Sequence, residues 1–115
     1  MVNQMVKLDE LDRTFSALSD GTRRGMLEHL RLGPASITEL SRRAGISLPG
    51  VLKHVRVLEE ARLVTTEKKG RMRECRLGPE GMDAVQAWIE RQQQHWERRL
   101  DRLERVLEAR KGDVR

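Results

Sequence analysis

Residues 36–60 read SITELSRRAGISLPGVLKHVRVLEE, and the division of this stretch into elements decides the fold. Ser36-Ile37-Thr38-Glu39 fits the S-x-x-E capping box, in which serine and glutamate side chains each satisfy a free backbone donor. A short helix is predicted from there, with Ile37 and Leu40 turned inward, stopping at Ala44-Gly45. Ile46 leads into Ser47-Leu48-Pro49. Ser47 supplies a second N-cap, and Pro49 suits a first helical turn, where its missing N–H would have had no partner. The second helix runs to about Glu60 and carries Val51, Val55 and Leu58 on one stripe. Two helices joined by a short turn containing glycine form a helix-turn-helix. At about 100° per residue, with that stripe buried, the outward face is Pro49, Leu52, Lys53 and Arg56.

On the N-terminal side, residues 1–7 carry no strong pattern and are expected to form a flexible arm. Leu8, Leu11, Phe15 and Leu18 then recur at helical spacing on one face. Asp20 is a natural N-cap for a second helix over residues 22–32, which turns Met26, Leu27 and Leu30 inward and ends at Gly33-Pro34. On the C-terminal side, LVTTEKK and RMRECRL have strand-like composition around Lys69-Gly70-Arg71 and predict a basic β-hairpin over residues 63–78. Gly78-Pro79-Glu80 opens a last helix over residues 80–110. Met82, Val85, Ile89, Gln92, Trp96, Leu103 and Val106 fall close to a heptad seam there, widened by Leu100 and Leu107. The expectation is a single winged domain over residues 8–110, mainly α with a small β-hairpin, followed by a disordered tail over 111–115.

Composition agrees with a small intracellular binding protein. The chain has 115 residues, 37% of them hydrophobic and 3% aromatic, so its core rests on aliphatic side chains. A domain of this size buries a modest share of its surface, and a second copy would enlarge the core. Lys and Arg number 23 against 18 Asp and Glu, a net charge of +5 that favours a polyanionic partner. The sequence shows neither a secretory leader nor an apolar run long enough for a bilayer, and Cys75 is its single cysteine. These features lead to the expectation of a cytoplasmic protein with no membrane partner.

The second helix of a helix-turn-helix enters the major groove, which makes Lys53 and Arg56 candidates for guanine edges or phosphates. Leu52 has two readings, contact with a thymine methyl or packing on a neighbouring helix. Ser47, Pro49 and His54 complete the candidate surface, His54 being either a packed side chain or a phosphate contact. Arg42 and Arg43 of the short helix, with Lys68, Lys69, Arg71 and Arg73 of the hairpin, are phosphate candidates; Arg76 lies nearer the strand end. If a dimer neutralises about 8 phosphates, log K falls with log salt at a slope of roughly −7. Double-stranded DNA with a pseudo-palindromic operator, and a second copy of the chain, are the expected partners.

Several of these segments resemble the ArsR family of winged helix-turn-helix repressors. ALSDGTRRGMLEHL is similar to the family's second-helix signature, ITELSRRAGISLPGVLKHVRVLEEARLV to its helix-turn-helix, and GRMRECRL to its wing. The match covers roughly residues 11–78. It implies a dimeric repressor, joined through its first and last helices and released from its operator by some input. On that arrangement, Leu8, Leu11, Phe15 and Leu18 of the first helix and Val85, Ile89, Trp96, Leu100 and Leu103 of the last are the dimerisation candidates. The chain departs from the family's metal sensors. Where they carry C-V-C-x-L, it has Ser36-Ile37-Thr38-Glu39-Leu40, and His95 is the last helix's only histidine. His29, His54 and His95 do not form a zinc spacing, so no metal and no cofactor is expected.

No Ser-His-Asp, Cys-His or paired-carboxylate arrangement stands out, and there is no phosphate-binding loop, so no enzymatic activity is expected. Trp88 and Trp96 suit core or dimer packing better than a ligand pocket, and Cys75 could act as a redox switch only as an exposed thiolate. The competing reading is a protein-interaction module that uses the long last helix, with the basic surface incidental.

Overall fold

Both serines expected to start helices do so. The computed structural model describes the backbone of residues 2–113 and the side chains of residues 9–112. It contains α1 (Val2–Leu18), α2 (Gly21–Leu30), β1 (Ala35–Ser36), α3 (Ile37–Ala44), α4 (Leu48–Glu60), β2 (Val64–Lys69), β3 (Met72–Leu77) and α5 (Pro79–Asp113). Ser36 accepts from the Glu39 N–H at 3.1 Å, and Ser47 accepts from the Gly50 N–H at 3.3 Å. Only half of the expected capping box forms, because the Glu39 carboxylate lies instead 3.6 Å from Nε2 of His29 on α2. Between the helices Gly45 takes φ 68, a left-handed conformation that glycine adopts without steric cost, and its N–H returns to the Ser41 carbonyl. The Ser41 hydroxyl donates to the Ile46 carbonyl at 2.6 Å and fastens the turn.

The hairpin gains a strand that sequence patterning did not reveal. β1 pairs antiparallel with β3, which gives a sheet of order β1-β3-β2 with Ala35 opposite Cys75 and Thr66 opposite Cys75 from the other side. A strand of two residues is too short to display any periodicity. Leu40, Val51, Leu58, Leu63, Val64 and Cys75 are fully buried, with Ala17, Met26, Leu30, Ile37 and Val55 in the same core. One core thus joins the α1–α2 corner, the helix-turn-helix and the root of the hairpin.

The chain divides into two units, one ending at Val85 and the other beginning at Gln86. In the first, the start of α5 is tied to the end of α4. The Gly81 N–H donates to the Arg62 carbonyl at 3.1 Å, and a Cβ at Gly81 would overlap the carbonyl of Ala61. Arg62 sits at φ 60, the one positive φ outside glycine among the described residues, and its guanidinium lies 3.5 Å from Glu80. In the second unit, every described side chain of α5 is exposed.

Several helix ends differ from expectation, α2 among them, which starts at Gly21 rather than 22. α1 begins at Val2, so residues 2–7, expected as an arm, are helical; neither Gly nor Pro precedes Gly21 to interrupt the helix. α2 stops at Leu30 rather than 32. α5 starts at Pro79, which tolerates a first turn, and continues through Gly112 to Asp113, so residues 111–113 of the expected tail are helical. Residues 114 and 115 of that tail lie outside the described residues.

Candidate nucleic-acid interface

α4 presents two chemically opposite faces. Val51, Val55 and Leu58 are 0–3% exposed, whereas Pro49, Leu52, Lys53 and Arg56 lie on the surface, as the stripe required. Leu52 is 45% exposed and stands outside the core cluster. Leu48, one turn earlier, is 47% exposed. Ser47 is exposed too, its hydroxyl committed to the cap. Arg42 and Arg43 are exposed in the last turn of α3. Among the described residues Lys53, Arg56, Arg42 and Arg43 form no intramolecular ion pair or side-chain hydrogen bond. Their charges are available to an anion.

His54 is placed differently from its neighbours. It is half-buried, and its Nδ1 lies 3.2 Å from Nη1 of Arg23. A guanidinium only donates, so Nδ1 is the acceptor in this contact. Arg23 also donates from Nε to the Ala17 carbonyl at 2.8 Å and from Nη2 to the Ser16 carbonyl at 3.0 Å. One side chain thereby joins the end of α1, the start of α2 and the middle of α4. The same corner contains Asp20, whose carboxylate accepts the Thr22 N–H at 2.7 Å and the Arg23 N–H at 3.2 Å. The Arg23 backbone N–H leads the effects that hold the Asp20 carboxyl below the usual carboxylate range. Sequence reading missed Arg23, because its partner on α4 is 31 residues away and no local spacing signals it.

The hairpin is less uniformly cationic than its sequence suggested. On one face Lys68 stands opposite Arg73, and Arg73 Nη1 donates to the Thr66 hydroxyl at 2.8 Å, which itself donates to Glu59 at 2.6 Å. Near the sheet's other surface, Glu74 Oε1 is 2.6 Å from Arg76 Nη2 and 3.3 Å from Lys69 Nζ. The hydrogen bonds from Arg76 and then Lys69 hold the Glu74 carboxyl below its ordinary range, and Arg76 is raised in turn. Arg73, Lys69 and Arg76 are therefore engaged within the chain. Lys68 and Arg71, next to the turn, have no such partner among the described residues. Glu74 was the residue that decided this, and the register Glu67 opposite Glu74 is what brings it within reach.

The dimerisation candidates separate into two groups. Val85 is 6% exposed, and Leu18 packs on the core of its own unit, so neither offers the free surface expected of it. Leu11 is half-buried and Phe15 is 40% exposed. The side chain of Leu8 lies outside the described residues. In α5, Ile89, Trp96, Leu100 and Leu103 are 41–60% exposed. Trp96, Leu100, Leu103 and Val106 line a shallow apolar groove of about 340 Å³, with the Arg99 guanidinium 6.0 Å from the Trp96 ring centre.

Cys75 is fully buried. Burial, with Glu59 next in importance, pushes its thiol from an ordinary 9.0 up to about 11. Among the described residues no three His, Cys, Asp or Glu side chains are grouped as a metal ion would require. No helix among the described residues is long and apolar enough to cross a membrane.

A family model described as a helix-turn-helix domain matches residues 18–67. The HTH-type transcriptional regulator Rv2034 of Mycobacterium tuberculosis is 36% identical over 90% of this chain and 94% of its own length. The transcriptional repressor SdpR of Bacillus subtilis is 30% identical over 52% of this chain and 67% of its own. Among solved structures, the crystal structure of the ArsR family transcriptional regulator RHA00566 superposes with a TM-score of 0.73 at 40% identity. It covers 77% of this chain and 92% of that one.

Proposed function

The chain belongs to the ArsR family of winged helix-turn-helix, DNA-binding transcriptional regulators, and from that premise we propose that it is a cytoplasmic repressor that binds its operator as a homodimer. One observation carries the reading. On α4, a row of exposed residues including Lys53 and Arg56 lies opposite a fully buried stripe, and neither cation is engaged within the chain. Such a helix is held rigidly by its inner face and offers unpaired donors on its outer one, which is what base-edge and phosphate recognition requires. Arg42, Arg43, Lys68 and Arg71 flank it as phosphate contacts. His54 contributes less directly, since its Nδ1 already accepts from Arg23.

The repressing role is supported by the likeness to SdpR, which is named a transcriptional repressor. The homodimer is supported by the exposed apolar side chains of α5, which a second copy would cover. A two-fold dimer of such domains reads a pseudo-palindrome with half-sites about 10 base pairs apart, or a multiple of that. The test is nuclease protection of the DNA upstream of the chain's own coding region, followed by selection from random duplexes. A protected inverted repeat is the expected result. Protection without two-fold symmetry, or none, overturns the homodimeric repressor. A monomer in sedimentation that captures a different protein through α5 would favour the interaction-module reading.

A further inference from the structure

Two leucines stand on the groove-facing side of α4, where a duplex-binding surface has little use for hydrocarbon. Leu48 is 47% and Leu52 45% exposed, and neither belongs to the hydrophobic core. They are four residues apart, so they form one ridge along the helix, which continues four residues further to Arg56. Pro49 and Lys53 make the adjacent row. The ridge begins at the first residue of α4, and it is the N-terminal part of a recognition helix that meets base edges.

The flanking charge identifies the occupant. Lys53 and Arg56 share this face, Arg42 and Arg43 are exposed in the last turn of α3, and all four are unpaired within the chain among the described residues. An apolar protein partner would leave these cations desolvated and unmatched, whereas a polyanion satisfies them. Within the major groove the edges of the bases are hydrogen-bonding groups, with one apolar exception, the C5-methyl of thymine. A leucine placed against a guanine or cytosine edge would bury a donor or acceptor with nothing to pair it.

We propose that Leu48 and Leu52 are specificity-determining residues that read thymine methyl groups in each operator half-site. The inference rests on the DNA-binding reading of α4 given above. Four residues of helix advance about 6 Å, and stacked bases are about 3.4 Å apart, so the two methyls belong to A·T pairs roughly two steps apart. The half-site then combines an A·T element under the start of α4 with positions available to Lys53 and Arg56 beside it.

Replacement of thymine by deoxyuridine removes the methyl and leaves every hydrogen-bonding group in place. The experiment starts from the selected operator, exchanges each thymine of the half-site singly, and measures binding by wild-type, Leu48→Ala and Leu52→Ala proteins. Both leucines are exposed, so the variants should melt with the wild type. For the wild type, uracil at one or two positions should weaken binding about fourfold per half-site, the change that one buried methyl gives. Leu52→Ala should lose the response at one of those positions and keep it at the other, with Leu48→Ala behaving reciprocally. An operator whose thymines all tolerate uracil, or leucine variants that keep the full wild-type response, overturns the proposal and leaves DNA binding intact. A wild-type protein with no preferred sequence overturns both.

Discussion

Replacement of Trp96 by alanine should break the proposed homodimer without unfolding the domain. The ring is 60% exposed in the single chain and lies in the unit that begins at Gln86, apart from the buried core, which ends with Val85. A tryptophan offers roughly 200 Å² of burial, so about 120 Å² of it remains for a partner to cover. At about 25 cal/mol per Å² that is about 3 kcal/mol per subunit and about 6 kcal/mol per dimer, as an upper bound. Interfaces realise only part of such an area, because ordering and desolvation oppose it. Half the bound, about 3 kcal/mol, still raises the dimer dissociation constant by more than 100-fold. Sedimentation over a wide concentration range reads this directly. The wild type should remain dimeric at concentrations where Trp96→Ala is monomeric, and the far-ultraviolet circular dichroism of the two should coincide. A variant whose dissociation constant stays within threefold of wild type refutes the reasoning, and α5 would then have to find a different cover.

Gly81→Ala should cost about 1–3 kcal/mol in denaturant unfolding, because the added methyl meets the backbone at Ala61, which cannot yield as a side chain would. Wild-type melting unaltered by the methyl would show that the α4–α5 corner is looser than described. Cys75 should resist thiol reagents in the native protein and react on unfolding, since it is buried and its thiol is raised to about 11. The same shift fixes a pH dependence. The unfolded thiol ionises near 9.0 while the folded one stays neutral, so this stabilising contribution is full below pH 9.0 and fades towards pH 11. Cys75→Ser should flatten that part of the profile, and an unchanged slope would contradict the assignment. Arg23→Met should weaken operator binding although Arg23 faces no DNA in this account, because α4 loses its tie to the α1–α2 corner; Arg23→Lys should recover little of it, as one ammonium cannot reproduce the guanidinium fork. Full binding by Arg23→Met would show that the tie has no bearing on recognition.

The sequence announced those parts of the fold that depend on near neighbours. Ser36 and Ser47 bracket the helix-turn-helix with caps, and the inward stripe of Val51, Val55 and Leu58 determines which side of α4 meets solvent. Gly45 and the Lys69-Gly70-Arg71 turn were equally legible, because their requirements are conformational and local. What could not be read are contacts that exist only after the chain has folded back on itself. β1 is defined by its partner β3 rather than by its own two residues. Glu39 satisfies the rule of the capping box in its spacing, yet its carboxylate is claimed by His29 across the α2–α3 boundary. Lys69 reads as a free cation until the hairpin register places Glu74 beside it, and His54 keeps two readings, packed or phosphate-facing, until Arg23 of α2 comes within 3.2 Å of its Nδ1. Leu18 and Val85 fit the periodicity of the seams on their helices, but a helical stripe wide enough to serve both a core and a partner does not say where one ends.

Sequence discrimination by the Lys53→Ala, Arg56→Ala double variant tests the account at its centre. Both side chains are exposed and unengaged, so thermal unfolding should match wild type while the preference for the operator over a scrambled duplex of equal length falls by at least about 30-fold, each specific pair being worth about 1–3 kcal/mol. A folded double variant that still selects the operator with wild-type preference would mean that the outer face of α4 does not read the duplex.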